Sequence, residues 1–376
     1  MRLERNVAGV GLVRLEIGDG LIRSVDVSGA EEPHRGYIAP GLIDIHINGF
    51  AGVDFSDPCL EPEQAASVVE PLRSTGVVAF CPTLVTNSME NLSRNLRVLQ
   101  AARTAYGHFA AAVPCFHLEG PWLSAGKARG IHDPGWMRPP VWDDFVRLQE
   151  AAGGNIGLVT LAPELPGAVA FIARLRSAGV LAALGHTEAA PECIHEAAAA
   201  GATLATHLGN GCPQLLDRHQ NPLWAQMNDD RLSASLICDG FHLPRDVVQT
   251  IVRAKGIRRC LLITDATHVA TLPPGRYRLA GTDIELLPSG KVIKADGACL
   301  GGSALSMDRA VTGFMALSGA SLADGLRAAS ETPAHFLGRR GLCRGLKPGE
   351  PANLFCFELQ AAILKVKEVY VGGAGS

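Results

Sequence analysis

Four side chains in separate segments of this 376-residue chain have the types a hydrolytic centre needs: Glu119 in HLEGP, His186 in GHT, His207 in THLGN and Asp265 in ITDAT. One carboxylate and two neutral imidazoles suit Zn²⁺ or a similar divalent ion, and three protein ligands leave a position open for a hydrolytic water. Glu119, His186 and His207 are therefore the expected metal site, assembled from distant segments rather than from a local motif such as HExxH. A single histidine is more often a hydrogen-bonded structural residue than a ligand. Three acid or imidazole groups at three strand ends make the stronger case.

Asp265 closes an apolar run, where an unpaired carboxylate is costly to bury, so it is expected beside a cation, a metal or hydrogen-bond donors. There it is placed to take a proton from an attacking water and return it to a leaving amine. The alternative is a cap for the turn that follows. His46 and Asn48 in DIHIN share one strand face because side chains alternate with period two. They could add to a metal site, although asparagine is a poorer zinc ligand than histidine.

Positioning these groups requires a particular scaffold. Eight short apolar, β-branched runs alternate with Ala-, Leu- and Glu-rich stretches at helical spacing: 41–48, 77–85, 112–120, 156–164, 180–188, 202–210, 233–242 and 260–267. Continuous apolar strands alternating with helices signal a parallel sheet covered on both faces. Eight repeats predict an α/β fold of the closed (β/α)₈, TIM-like type, whose active site lies where the C-terminal strand ends converge. His46, Glu119, His186, His207, Asp239 and Asp265 all fall at or near those ends. The flanks alternate differently. Residues 1–38 and 342–376 are expected to pair as a small β-sandwich domain built from both termini, with 271–296 associated with it, and 39–341 to form the barrel. Helices are predicted at 303–318 and 321–337.

Composition narrows the function. With 34 Lys and Arg against 37 Asp and Glu, the net charge of −3 gives no clustered cationic grip on nucleic acid or an anionic membrane. No apolar stretch reaches the ~18 residues of a membrane span, and no export signal is visible. Ten scattered cysteines without a CxxC pair read as reduced thiols in a cytoplasmic protein. GGSALSM lacks the GxSxG pattern of a nucleophilic serine, and no phosphate-binding glycine loop follows a strand.

Taken together the segments resemble the amidohydrolase superfamily and, within it, the N-acetylglucosamine-6-phosphate deacetylase family. The matching stretches run in the family's order through nearly the whole chain: APGLIDIHINGFAG (39–52), HLEGPWLS (117–124), KARGIHDP (127–134), LAPE (161–164), GHTEA (185–189), THLGN (206–210), DGFH (239–242), ITDAT (263–267), GGSALSM (301–307) and ETPAHFLG (331–338). The resemblance implies Glu119, His186 and His207 as metal ligands and Asp265 as the catalytic acid and base. It further implies that His132 polarises the acetyl carbonyl, an oxyanion-stabilising role. Asn210, Gly211 and His242 are implied as substrate contacts. Arg218 is implied as the grip on the sugar phosphate, a role suited to a guanidinium, and both Arg218 and His242 are implied to reach in from the neighbouring subunit of a homodimer.

Two departures qualify the resemblance. Many members carry His-x-His where this chain has His46-x-Asn48, so one metal per chain, most simply zinc, is expected. Where the family has an aromatic residue followed by Asn-Ala-Met, this chain reads Gly209, Asn210, Gly211, Cys212, which should widen the pocket beside the metal. The expected activity is metal-dependent removal of acetate from N-acetylglucosamine 6-phosphate. The alternatives are an amidohydrolase for another N-acyl amino sugar, an N-acyl amino acid or a cyclic amide, and an inactive barrel kept as a binding protein.

Overall fold

The computed structural model describes residues 1–338, 341–361 and 363–375. All eight expected runs are strands: β1 (Leu42–Ile47), β2 (Val77–Val85), β3 (Phe116–Glu119), β4 (Ile156–Leu161), β5 (Leu181–Leu184), β6 (Ala202–Ala205), β7 (Ser233–Leu236) and β8 (Cys260–Leu262). Neighbours pair in parallel in that order. The ring closes just beyond β8. The Asp265 N–H donates to the His46 carbonyl at 3.0 Å and the Asn48 N–H to the Ala266 carbonyl at 2.8 Å. This near-closure ties Asp265 to the end of β1.

Crossover helices such as Met89–Ala105, Ala168–Ser177, Pro191–Ala200 and Arg245–Lys255 cover the outside. Their apolar faces and the outward residues of the strands share one core. Inside the barrel, a polar layer lies beneath the mouth. The Asp44 carboxylate accepts from the Thr264 hydroxyl, His117 lies between the Thr83 and Thr160 hydroxyls, and Thr160 is 2.9 Å from Thr206. Gly185 makes that last contact possible: a Cβ there would meet Thr160 at 2.8 Å and Thr206 at 2.9 Å.

The termini form one seven-stranded sheet from Arg2–Val7, Gly11–Gly18, Leu21–Gly29, Tyr37–Pro40, Leu354–Gln360, Ile363–Val371 and Ala374–Gly375. It is antiparallel except where Arg2–Val7 meets Tyr37–Pro40, and both halves contribute to a separate small core that includes Leu15, Ile38 and Leu354.

Residues 271–296 depart from expectation. Gly275–Leu279, Thr282–Leu286 and Val292–Lys294 form their own antiparallel sheet, not hydrogen-bonded to the terminal one. Its apolar face, Leu279, Ile284, Leu286 and Val292, packs with Val269 and with Ile131 of a mouth loop, so burial draws it over the barrel. The Ala280 N–H donates to the buried Asp54 carboxylate at 3.2 Å, pinning this flap to the loop after β1. The helix expected over 303–318 starts at Met307, and that over 321–337 divides into Leu322–Ala329 and Glu331–Leu337. Pro333 has no N–H to continue an uninterrupted helix but fits the first turn of a new one. Among the described residues, no helix is long and apolar enough to cross a membrane.

Candidate active site

Three donor atoms meet at the mouth. Glu119 Oε1, at the end of β3, lies 3.1 Å from His186 Nε2 and 3.0 Å from His207 Nε2, and the two imidazole nitrogens are 3.1 Å apart. His186 Nδ1 is 2.9 Å from the Ala128 carbonyl. A carbonyl only accepts, so Nδ1 carries the hydrogen and Nε2 is the atom turned to the cluster. Three acceptor atoms facing one another in a buried pocket repel unless a proton or cation lies among them. Their spacing is close to the ~3.3 Å separation of donors around a tetrahedral zinc with bonds near 2.0–2.1 Å. Both histidines follow their strands with left-handed backbone, φ 49° at His186 and 32° at His207, which turns the side chains across the mouth. Asp265 has the same feature, φ 49°.

The other face of Glu119 belongs to a second group. His46 Nε2 is 3.2 Å from Glu119 Oε2 and 3.4 Å from Asp265 Oδ1, so His46, Glu119 and Asp265 also cluster closely enough to hold an ion. Asn48 is placed otherwise: its amide nitrogen donates to Asp265 Oδ1 at 2.6 Å and orients that carboxylate. Burial pulls the His46 imidazole down, but Glu119 and Asp265 raise it to about 9. Burial pushes Glu119 up, yet the His46 charge and hydrogen bonds with His186 and His207 hold it well below the usual carboxylate range. An arrangement that favours charged carboxylate beside imidazole also favours a cation.

His132 completes the inner wall. Its Nε2 is 3.7 Å from Glu119 Oε2, its ring packs edge-on against His186, and its Nδ1 is buried without a partner. Burial, followed by the neighbouring His186, lowers its pKa to about 3, so the ring is neutral. The cleft above is a cavity of about 1070 Å³ that Asn210, Gly211, Cys212 and His242 line. The Asn210 amide nitrogen is buried and unpartnered. Gly211 must be bare, since a Cβ would stand 2.9 Å from the His207 ring. His242, expected to reach in from a neighbouring subunit, instead lines the cleft of its own chain, where its Nδ1 is 2.7 Å from Asp239 Oδ2, which fixes the ring at the wall. Arg218 is not brought in: it is exposed and lies outside the cleft of its own chain.

Some site residues were not singled out from sequence. His117 lies two residues before Glu119, so the strand period places it on the same inward face, where its ring packs edge-on against His46. Lys127 and Arg129 from the 124–132 loop and Lys294 from the flap line the cleft with positive charge. Glu164 and Glu188 hold the surrounding loops by hydrogen bonds. Loop side chains carry no periodic signal that would have marked them.

No protein-family model matches the chain. Among curated proteins, it is 31% identical to the N-acetylgalactosamine-6-phosphate deacetylase of Escherichia coli O157:H7 over 363 residues, 96% of this chain and 93% of that protein. It is 34% identical to the N-acetylglucosamine-6-phosphate deacetylase of Homo sapiens over 347 residues, 89% of this chain and 82% of that protein. Among solved structures, the N-acetyl-D-glucosamine-6-phosphate deacetylase of Mycobacterium smegmatis, in complex with N-acetyl-D-glucosamine-6-phosphate, superposes with a TM-score of 0.89 at 30% identity, covering 100% of this chain and 98% of that one.

Proposed function

The chain belongs to the N-acetylglucosamine-6-phosphate deacetylase family of the amidohydrolase superfamily, a hydrolase of amide C–N bonds, and we propose that it removes acetate from N-acetylglucosamine 6-phosphate. The observation that carries the reading is the convergence of Glu119 Oε1 and the Nε2 atoms of His186 and His207 within 3.0–3.1 Å, next to Asp265 and His132. Glu119, His186 and His207 would hold one divalent ion, zinc by the donor set, with His46 on the far face of Glu119. When bound, such an ion supplies Lewis acidity toward water and carbonyl.

The remaining work falls to the protein. Asp265, oriented by the Asn48 amide, takes a proton from the attacking water and returns it to the departing amine nitrogen. His132, neutral in this pocket, donates a hydrogen bond to the acetyl oxygen as negative charge develops there. Asn210, with an unpartnered amide, and His242, fixed by Asp239, hold the sugar. The phosphate is gripped by Arg218 of a second copy. Its exposure supports this, as does the apolar surface around it, Leu215 at 87% and Trp224 at 52% exposed, which a homodimer would cover. A phosphorylated sugar is a substrate held inside cells, so a cytoplasmic location belongs to the proposal.

The E. coli relative, matched over nearly the full length of this chain, favours the galactosamine epimer as a second reading. The test is amine release by zinc-supplemented protein from N-acetylglucosamine 6-phosphate, its galactosamine epimer and unphosphorylated N-acetylglucosamine, with metal content measured alongside. About one metal per chain and strong preference for the phosphorylated glucosamine support the reading. Preference for the epimer replaces the substrate, and a metal-bearing protein inert toward all three discards it.

A further inference from the structure

The turn that aims His186 into the cluster is held by a residue outside the cluster. Left-handed backbone at a non-glycine residue persists only where the surroundings over-determine it, and His186 has φ 49°. Both residues after it are bonded to Glu164, in the LAPE segment following β4. Glu164 Oε2 accepts from the Thr187 hydroxyl at 2.6 Å, and Oε1 accepts from the Glu188 backbone N–H at 2.7 Å. The Thr187 oxygen in turn accepts from the Ala189 N–H at 3.0 Å.

From this turn, bonds reach the two loops that wall the cleft. The Thr187 N–H donates to the Gly211 carbonyl at 3.2 Å, and the Ser124 N–H donates to the His186 carbonyl at 3.0 Å. Glu188 Oε1 accepts from the Ala128 N–H at 3.1 Å and from the Ser124 hydroxyl at 3.3 Å. Ala128 is the residue whose carbonyl orients His186. Gly126 leaves room for the tie, because a Cβ there would lie 2.0 Å from Glu188 Oε1.

We propose that Glu164 is a positioning residue for the metal centre: its two oxygens hold the strained turn that aims His186 and sets the 124–132 and 209–212 loops against it. The inference rests on the reading of His186 as a metal ligand. Partners of metal-ligating histidines commonly contribute 10–100-fold to metal affinity.

The test is zinc affinity, by competition with a chelator, for the wild-type full chain, Glu164→Ala, Thr187→Val and Thr187→Ser, each checked for folding by circular dichroism and thermal melting. Glu164→Ala and Thr187→Val are expected to bind zinc about 10–100-fold more weakly, while Thr187→Ser, which keeps the hydroxyl, binds as wild type. Wild-type affinity in folded Glu164→Ala and Thr187→Val would overturn the proposal, since a merely structural role would lower the melting temperature and leave affinity unchanged. If Glu164→Ala does not fold, the Thr187 pair decides. A wild-type chain that binds no zinc would overturn the proposal together with the reading of His186, an outcome distinct from equal binding across the set.

Discussion

The floor of the cleft and its rim are built to different rules. On the floor, the donor atoms of Glu119, His186 and His207 lie within 3.0–3.1 Å of one another, and each side chain is buried. The rim from Gly209 to Trp224 carries the exposed Leu215 and Trp224 and leaves Arg218 outside its own cleft. The floor brings its groups together within one chain, whereas the rim turns Arg218 and these apolar side chains outward. On the proposed reading, reaction chemistry falls to one subunit and recognition of the phosphate is shared between two.

Five experiments press on that division, the most severe first. Glu119→Gln removes the charge that both imidazoles face, so metal content should fall to background. Amine release should then drop by at least about 10³-fold, corresponding to several kcal/mol of lost transition-state stabilisation. Retained metal and turnover would dissolve the floor as described. Asp265→Asn should keep the metal while turnover falls about 10²–10⁴-fold, checked by metal analysis beside steady-state rates.

At the rim the effects are smaller and selective. Arg218→Ala should raise KM for the phosphorylated sugar about 10–100-fold, for a charge-assisted hydrogen bond of about 1.5–3 kcal/mol, and leave the slow reaction of the unphosphorylated sugar unchanged. Co-expressing Arg218→Ala with Asp265→Asn sharpens this. At substrate concentrations well below the raised KM, mixed dimers should turn over faster than either variant alone, because one of their two clefts combines an intact Asp265 with an intact Arg218. An arginine acting within its own chain would recover nothing. Leu215→Asp should weaken self-association, read by sedimentation, yet change the melting free energy of the isolated chain by no more than about 0.5 kcal/mol, since the side chain is largely exposed there.

The floor was far more legible in the sequence than the rim and its supports. Apolar β-branched runs ending in His, Glu or Asp mark both the barrel strands and the groups at their ends, because a strand buried on both faces leaves polar side chains only where it emerges. Asn48 illustrates a limit: period two placed it correctly beside His46, but only the structure shows its amide turned to Asp265. The flap illustrates another. Half-exposed alternation in 271–296 looks the same whether the strands join the terminal sheet or form their own, and contacts with Val269 and Ile131 decide it. Glu164 and Glu188 act through loop hydrogen bonds, which follow no period.

The terminal sheet has a consequence for how the chain is made. Tyr37–Pro40 pairs with Leu354–Gln360, so the earlier strand waits during synthesis for a partner made roughly 300 residues later. At about 5–20 residues per second, the roughly 300 intervening residues take on the order of 15–60 s to synthesise. Throughout that interval the barrel strands can assemble in order of emergence, while the amino-terminal hairpins present an unpaired edge to other nascent chains. A nascent chain is therefore open to association along Tyr37–Pro40 until Leu354–Gln360 arrives to cover it.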